Sequence, residues 1–206
     1  MRVAIVGGTG DFGLALARRL AEAGDEVVIG SRDSERAEQK GREVGAFDGA
    51  ANEEAVQEVD LVVLATRADA ALTTAAALVE AIGTTPLLSV ASELHFAPEG
   101  VFPYAEARSL AERTQDLVRA PVVAGLHSLA ARQLARGRPD EDAFVCGDDA
   151  DAKALALGLA AKVVAGRALD AGPLASARAL EGMTAVIVNL NKRYKGHAGL
   201  RVTGLT

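Results

Sequence analysis

The chain has 206 residues, half of them apolar, with a formal net charge of −6 and a single cysteine. That length allows one large domain with a substantial core, or one domain with a small appendage. The negative balance argues against phosphate-backbone binding, and a lone Cys146 excludes an intramolecular disulfide and a cysteine-based metal site.

Aromatic residues are only 3% of the chain, so the core is expected to be built from Ala, Val and Leu. Such a core suits helices packed closely on a parallel sheet, and not a base-stacking surface for nucleic acid. The histidines His95, His127 and His197 show no metal-ligand spacing, and no metal is expected. The start of the chain carries Arg2 and an apolar run, but the run is short and broken by glycines and Asp11, unlike a signal peptide. No apolar stretch reaches the roughly 18 residues that a membrane span needs. A cytoplasmic protein without a nucleic-acid or membrane partner is expected.

In chain order, the apolar run Val3-Ala4-Ile5-Val6 predicts a buried strand, and the pattern from Leu14 to Leu20 predicts a helix. Between them Gly8, Gly10 and Gly13 form G-x-G-x-x-G, the arrangement that rests a dinucleotide pyrophosphate on the N-terminus of the first helix. Gly8 is expected to permit the tight turn, Gly10 to let the pyrophosphate approach the backbone, and Gly13 to let helix and strand pack closely. A second strand, Glu26 to Gly30, leads into Ser31 and Arg32 where an NAD-preferring site carries a carboxylate. A hydroxyl and a guanidinium there suit a 2′-phosphate, and Arg36 lies one helical turn beyond Arg32, so NADP(H) is the expected cofactor.

A helix is expected over 34–44, a looser segment around Phe47-Asp48-Gly49, a short helix over 52–59 and a buried strand over 60–65. The carboxyl end of that strand places Thr66, Arg67, Ala68 and Asp69 beside the cofactor. A helix over 70–82, a strand over 86–91, a turn-rich connection over 93–103, a helix near 105–118 and a strand over 121–126 ending at His127-Ser128 follow. This alternation defines an α/β fold, a Rossmann-type doubly wound parallel sheet. Beyond it, a short strand over 143–147, helix capping by Asp148-Asp149, a helix over 150–161, another short strand over 165–169 and a long helix over 173–191 form a small C-terminal α/β extension. The expected division is 1–140, an NADP-binding domain, and 141–206, an extension completing the substrate cleft.

Several blocks together resemble the NADPH-dependent F420 reductases, also called F420-dependent NADP reductases. They are Gly7-Gly8-Thr9-Gly10 with Gly13, Gly30-Ser31-Arg32, Leu126-His127-Ser128 with Ala131, Val145-Cys146-Gly147-Asp148-Asp149, and Leu169-Asp170-Ala171-Gly172-Pro173-Leu174. The resemblance runs almost end to end. It implies an oxidoreductase that transfers a hydride between NADP(H) and the deazaflavin coenzyme F420, with the two rings stacked at the carboxyl edge of the sheet. It further implies that Thr9, Gly10, Asp11 and Phe12 contact the pyrophosphate, that Ser31, Arg32 and Arg36 hold the 2′-phosphate, and that His127 and Ala131 lie beside the stacked rings. The expected cofactor-binding set is therefore Gly8, Thr9, Gly10, Asp11, Phe12, Gly13, Ser31, Arg32, Arg36, Thr66, Arg67, Ala68, Leu72 and Ala131. His127 is the candidate nearest the hydride transfer.

The chain departs from the family after the strand at 60–65, where Thr66-Arg67-Ala68-Asp69 replaces a proline and a large aromatic, and at Ala130, where a proline is usual. Two other readings stand beside this one: an NADP(H)-dependent reductase of another flavin or carbonyl compound, and a non-catalytic NADP(H) sensor. Short-chain dehydrogenase chemistry lacks its Tyr-x-x-x-Lys pair, since Tyr104 is followed by Arg108 and Tyr194 by Ala198. The basic tail Lys192 to His197 either meets the acidic tail of the coenzyme or solubilises the end of the last helix. The apolar stretch Met183 to Val188 is expected to be buried in this subunit or against another, as in a homodimer.

Overall fold

A computed structural model describes residues 1–205. In chain order they form β1 (Arg2–Val6), α1 (Asp11–Glu22), β2 (Glu26–Ser31), α2 (Ser34–Val44), β3 (Asp48–Ala51), α3 (Asn52–Ala55), β4 (Leu61–Leu64), α4 (Ala68–Ala77), α5 (Val79–Ile82) and β5 (Leu87–Ser89). Then come β6 (Leu94–Ala97), β7 (Gly100–Pro103), α6 (Leu110–Gln115), β8 (Val122–Gly125), α7 (Ala131–Arg136), β9 (Ala143–Gly147), α8 (Ala150–Val163), β10 (Ala168–Asp170), a 3₁₀ turn (Leu174–Ser176) and α9 (Ala177–Tyr194).

Strand residues alternate between two cores. In β1, Val3 and Ile5 face α1 and α8 while Ala4 and Val6 face α4 and α6; in β4, Leu61 and Val63 divide from Val62 and Leu64 in the same way. A strand covered on both faces must be apolar on both, which is why these runs carry no polar residue. Small residues bring the helices close. Ala152, Ala156 and Ala160 recur every four positions on the buried face of α8, and Ala71 and Ala75 do so on α4.

Eight strands make one sheet in the order β3-β2-β1-β4-β5-β8-β9-β10, and β6 and β7 form a separate antiparallel hairpin. The order reverses between β1 and β4, which opens a crevice beyond their carboxyl ends. The expected all-parallel sheet needs one correction: β9 runs antiparallel to β8, and β10 follows β9 in parallel. Residues 143–170 thus continue the main sheet, since an antiparallel return needs no crossover helix.

Other boundaries also moved. The segment around Phe47-Asp48-Gly49 is not loose but becomes β3, because Gly49 lets the strand lie against α2; a Cβ there would fall 2.3 Å from the Ala37 carbonyl carbon. The turn-rich connection holds the β6–β7 hairpin, which packs on α9. The helix expected near 105–118 starts only after Ser109, whose hydroxyl accepts the Glu112 N–H at 3.0 Å while the Glu112 carboxylate accepts the Ser109 N–H at 2.8 Å. That reciprocal cap fixes the start. The helix over 70–82 breaks at Leu78. Glu181, buried on α9, accepts the Leu110 N–H at 2.7 Å and ties α9 to the start of α6; burial pushes its carboxyl up to about 7. No helix among the described residues is long and apolar enough to cross a membrane.

Candidate active site

The glycine motif sits where β1 meets the crevice. Gly7, and not Gly8 as the motif alone suggested, takes the left-handed conformation of the turn, with φ 74°. Gly8 is required for a different reason. A Cβ on it would lie 2.6 Å from the Ile5 carbonyl oxygen, and a Cβ on Gly13 would lie 2.7 Å from the Gly8 Cα. The two glycines let the first turn of α1 rest directly on the backbone that leaves β1. Gly10 is different again: it caps α1, is exposed, and the nearest atom to an added Cβ is 3.5 Å away. The protein itself has room for a side chain there, so the bare backbone serves something outside it.

The start of α1 has no side-chain cap. The N–H groups of Asp11, Phe12 and Gly13 therefore have no partner within the helix, and with the helix dipole they form a site for an anion. Across the crevice, Ser31 ends β2, and its hydroxyl accepts the Asp33 N–H at 3.2 Å. Asp33 in turn caps α2 by accepting the Arg36 N–H at 3.0 Å. This local turn sets Arg32 and Arg36 on one wall. Among the described residues neither guanidinium has a carboxylate partner.

One cavity of about 560 Å³ gathers Thr9, Gly10, Ser31, Arg32, Arg36, Thr66 and Arg67 from the expected set. It also takes in Gly7, Asp33, Asn52, Ala70 and Thr74, which the motif reading did not single out. Asn52 opens α3, where a helix start is expected, and the strand β3 before it carries it to the cavity wall.

Ala65, Thr66 and Arg67 are shared with a second cavity of about 290 Å³, which adds Phe12, Ala68, Ser92, Leu126, His127, Leu129 and Thr184 to its lining. Its walls mix apolar side chains with Thr66, Arg67, Ser92, His127 and Thr184. Leu126 has φ 63°, a left-handed conformation that costs a leucine about 1–3 kcal/mol and that turns the chain at the end of β8. The imidazole of His127 follows. It is buried, neither ring nitrogen has a well-formed hydrogen bond, and desolvation lowers its pKa to about 4 against a small opposing effect of the Ala91 backbone. A neutral ring offers one donor and one acceptor across the physiological range. Thr184, from α9, donates to the His127 carbonyl at 2.9 Å, a contact 57 positions apart that no local pattern announces.

Five expected residues lie elsewhere, Asp11 among them with Ala131. Gly8 and Gly13 act through packing beneath the cavity floor. Leu72 packs against the core beneath α4 and lines neither cavity. Ala131 lines a separate cavity with Asp11, Leu14 and Arg18, because α7 packs on α1 and carries it to that side. Asp69 pairs with Arg67 at 3.0 Å. Of the two aspartates expected to cap, Asp149 caps α8 through the Ala152 N–H at 2.8 Å, whereas Asp148 accepts the Leu174 N–H at 2.9 Å instead. Among the described residues no group of His, Cys, Asp and Glu has the arrangement of a metal site.

A glycine turn, a free helix N-terminus and paired arginines at the switch point of a doubly wound sheet define a dinucleotide-binding oxidoreductase of the Rossmann class. Comparison with known proteins narrows that class. Residues 2–93 match the family model described as NADP oxidoreductase, coenzyme F420-dependent. The F420-dependent NADP reductase of Methanothermobacter marburgensis is 36% identical over 222 aligned positions, covering 100% of this chain and 99% of the relative. That of Methanocaldococcus jannaschii is 31% identical over 100% of this chain and 99% of its own. A crystal structure of a protein from Arthrobacter sp. FB24 superposes with a TM-score of 0.86 at 27% identity, covering 99% of this chain and 100% of that one. The chain belongs to the F420-dependent NADP reductase family.

The two kinds of glycine separate experimentally. Gly13→Ala is expected to lower the unfolding free energy by about 1–3 kcal/mol, the usual effect of overpacking, in chemical denaturation. Gly10→Ala is expected to leave the denaturation midpoint nearly unchanged and to weaken NADPH binding at least tenfold in a fluorescence titration.

Proposed function

We propose that the protein transfers a hydride between NADP(H) and the deazaflavin coenzyme F420 within this crevice. The observation that carries the reading is the continuity of the two cavities through Ala65, Thr66 and Arg67, which joins an anion-binding wall to the chamber beside His127. In this reading the N–H groups of Asp11, Phe12 and Gly13 hold the pyrophosphate, while Ser31, Arg32 and Arg36 hold the 2′-phosphate. Thr66, Arg67 and Ala68 pass the nicotinamide end into the chamber, and Phe12 and Leu129 wall the stacked rings.

The two carriers supply the redox chemistry themselves, with a hydride leaving the reduced ring and joining the oxidised one. The protein therefore has to fix donor and acceptor at near-attack distance and exclude water. His127, kept neutral by burial, shapes the chamber wall after Leu126. Residues 141–206 complete the cleft by supplying α9 and with it Thr184.

The proposal extends to a homodimer in the cytoplasm. Val186, Leu190 and Tyr194 recur every four residues on the exposed side of α9, beside exposed Phe96 and Phe102 of the hairpin. An apolar stripe of that kind is the usual mark of an interface. Sedimentation showing only monomer at micromolar concentration contradicts this part.

The test of the main reading is to mix the protein with oxidised F420 and either NADPH or NADH and follow the deazaflavin absorbance. Rapid bleaching is expected with NADPH and little with NADH. Arg32→Ala is expected to weaken NADPH by about 1.5–3 kcal/mol, the scale of a charge-assisted hydrogen bond, and to leave NADH nearly unaffected. Tight NADPH binding without bleaching contradicts the substrate assignment, and equal losses for both nucleotides contradict the phosphate assignment.

A further inference from the structure

The chamber holds a hydrogen-bond chain whose direction is fixed by its far end. The His127 carbonyl can only accept, so the Thr184 hydroxyl spends its one proton there, at 2.9 Å. The Ser92 and Thr184 hydroxyl oxygens are 2.7 Å apart. With the Thr184 proton already committed, Ser92 must be the donor of that bond. Its own single proton is then used as well, and Ser92 Oγ turns only lone pairs toward the chamber it lines. Ser92 is thereby an acceptor and not a donor, although a free serine is both.

We infer that Ser92 is a specificity-determining residue for the hydride acceptor, and that it accepts a hydrogen bond from a ring N–H of the bound heterocycle. The inference rests on the functional reading above and deepens it. A deazaflavin carries one imide N–H between two carbonyls, so its polar edge offers one donor flanked by acceptors. Ser92 reads the donor. Thr184 is the positioning residue: through one hydroxyl it sets the polarity of Ser92 and holds the backbone of His127 just after the left-handed Leu126. Of the remaining lining, Val90, Leu94 and Leu129 have no polar side-chain atom, and Thr66 and Arg67 lie at the end shared with the nucleotide cavity.

The test compares an 8-hydroxy-5-deazaflavin with its imide N-methyl analogue, by equilibrium fluorescence quenching and by NADPH-dependent bleaching. The wild-type protein is expected to bind the analogue at least tenfold more weakly than the parent, because the methyl group removes the donor and leaves a buried acceptor unpaired. Ser92→Ala is expected to bind the parent about five- to tenfold more weakly and to discriminate much less between the two. Thr184→Val, which frees Ser92 to donate as well as accept, is expected to lower discrimination less than Ser92→Ala does, Thr184→Ser to keep wild-type discrimination, and NADPH affinity to stay constant across the series. Equal discrimination by wild type and Ser92→Ala overturns the inference while leaving the enzyme an F420 reductase. A wild-type protein that binds NADPH but neither binds nor bleaches the parent deazaflavin overturns the functional reading itself, and this inference with it.

Discussion

The arrangement depends on one close approach, that of Gly13 on α1 to Gly8 on the turn after β1, where a single added Cβ would come within 2.7 Å of backbone. That contact seats the first turn of α1 on the end of the central strand and directs its unpaired N–H groups across the crevice. If it were lengthened, the anion site would separate from the wall that carries Arg32 and Arg36. The left-handed Gly7 beside it and the exposed Gly10 above it serve the same geometry, one by turning the chain and the other by leaving it bare.

From that seat the site divides into two environments suited to two jobs. One end is electropositive, with guanidinium groups whose charge is not cancelled by neighbouring carboxylates. The other mixes apolar walls with the hydroxyls of Ser92 and Thr184, and its histidine is kept neutral by burial. Recognition of a phosphorylated nucleotide needs the first, and transfer of a hydride between two flat rings needs the second, since water in the chamber would compete for position. Thr66 and its neighbours belong to both cavities, so whatever spans them passes over the carboxyl end of β4.

The legible parts of the fold were those written in local pattern. β1, β2 and β4 are unbroken apolar runs, the glycine motif has fixed spacing, and Ser31-Arg32 stands at a position that the topology makes diagnostic. What stayed hidden is held by contacts distant in sequence. Strand β3 is Asp-Gly-Ala-Ala and has little strand propensity; it exists because Gly49 lets it pack on α2 and pair with β2. The reversal of β9 cannot be read from its residues, because a fully buried strand looks the same in either direction. Thr184 lies in an apolar helix that gives no sign of touching His127. The motif also pointed to the wrong glycine for the turn, since spacing does not report φ.

Whether both carriers meet in one shared chamber is tested most directly with NADPH deuterated on the nicotinamide carbon that gives up the hydride. After a single turnover with oxidised F420, mass spectrometry of the reduced deazaflavin reads where the label has gone. The structure predicts that with the correctly labelled face nearly all of the deuterium is found on the deazaflavin and none in the solvent. Deuterium lost to water, with protium in the product whichever face was labelled, would contradict direct transfer in a shared chamber.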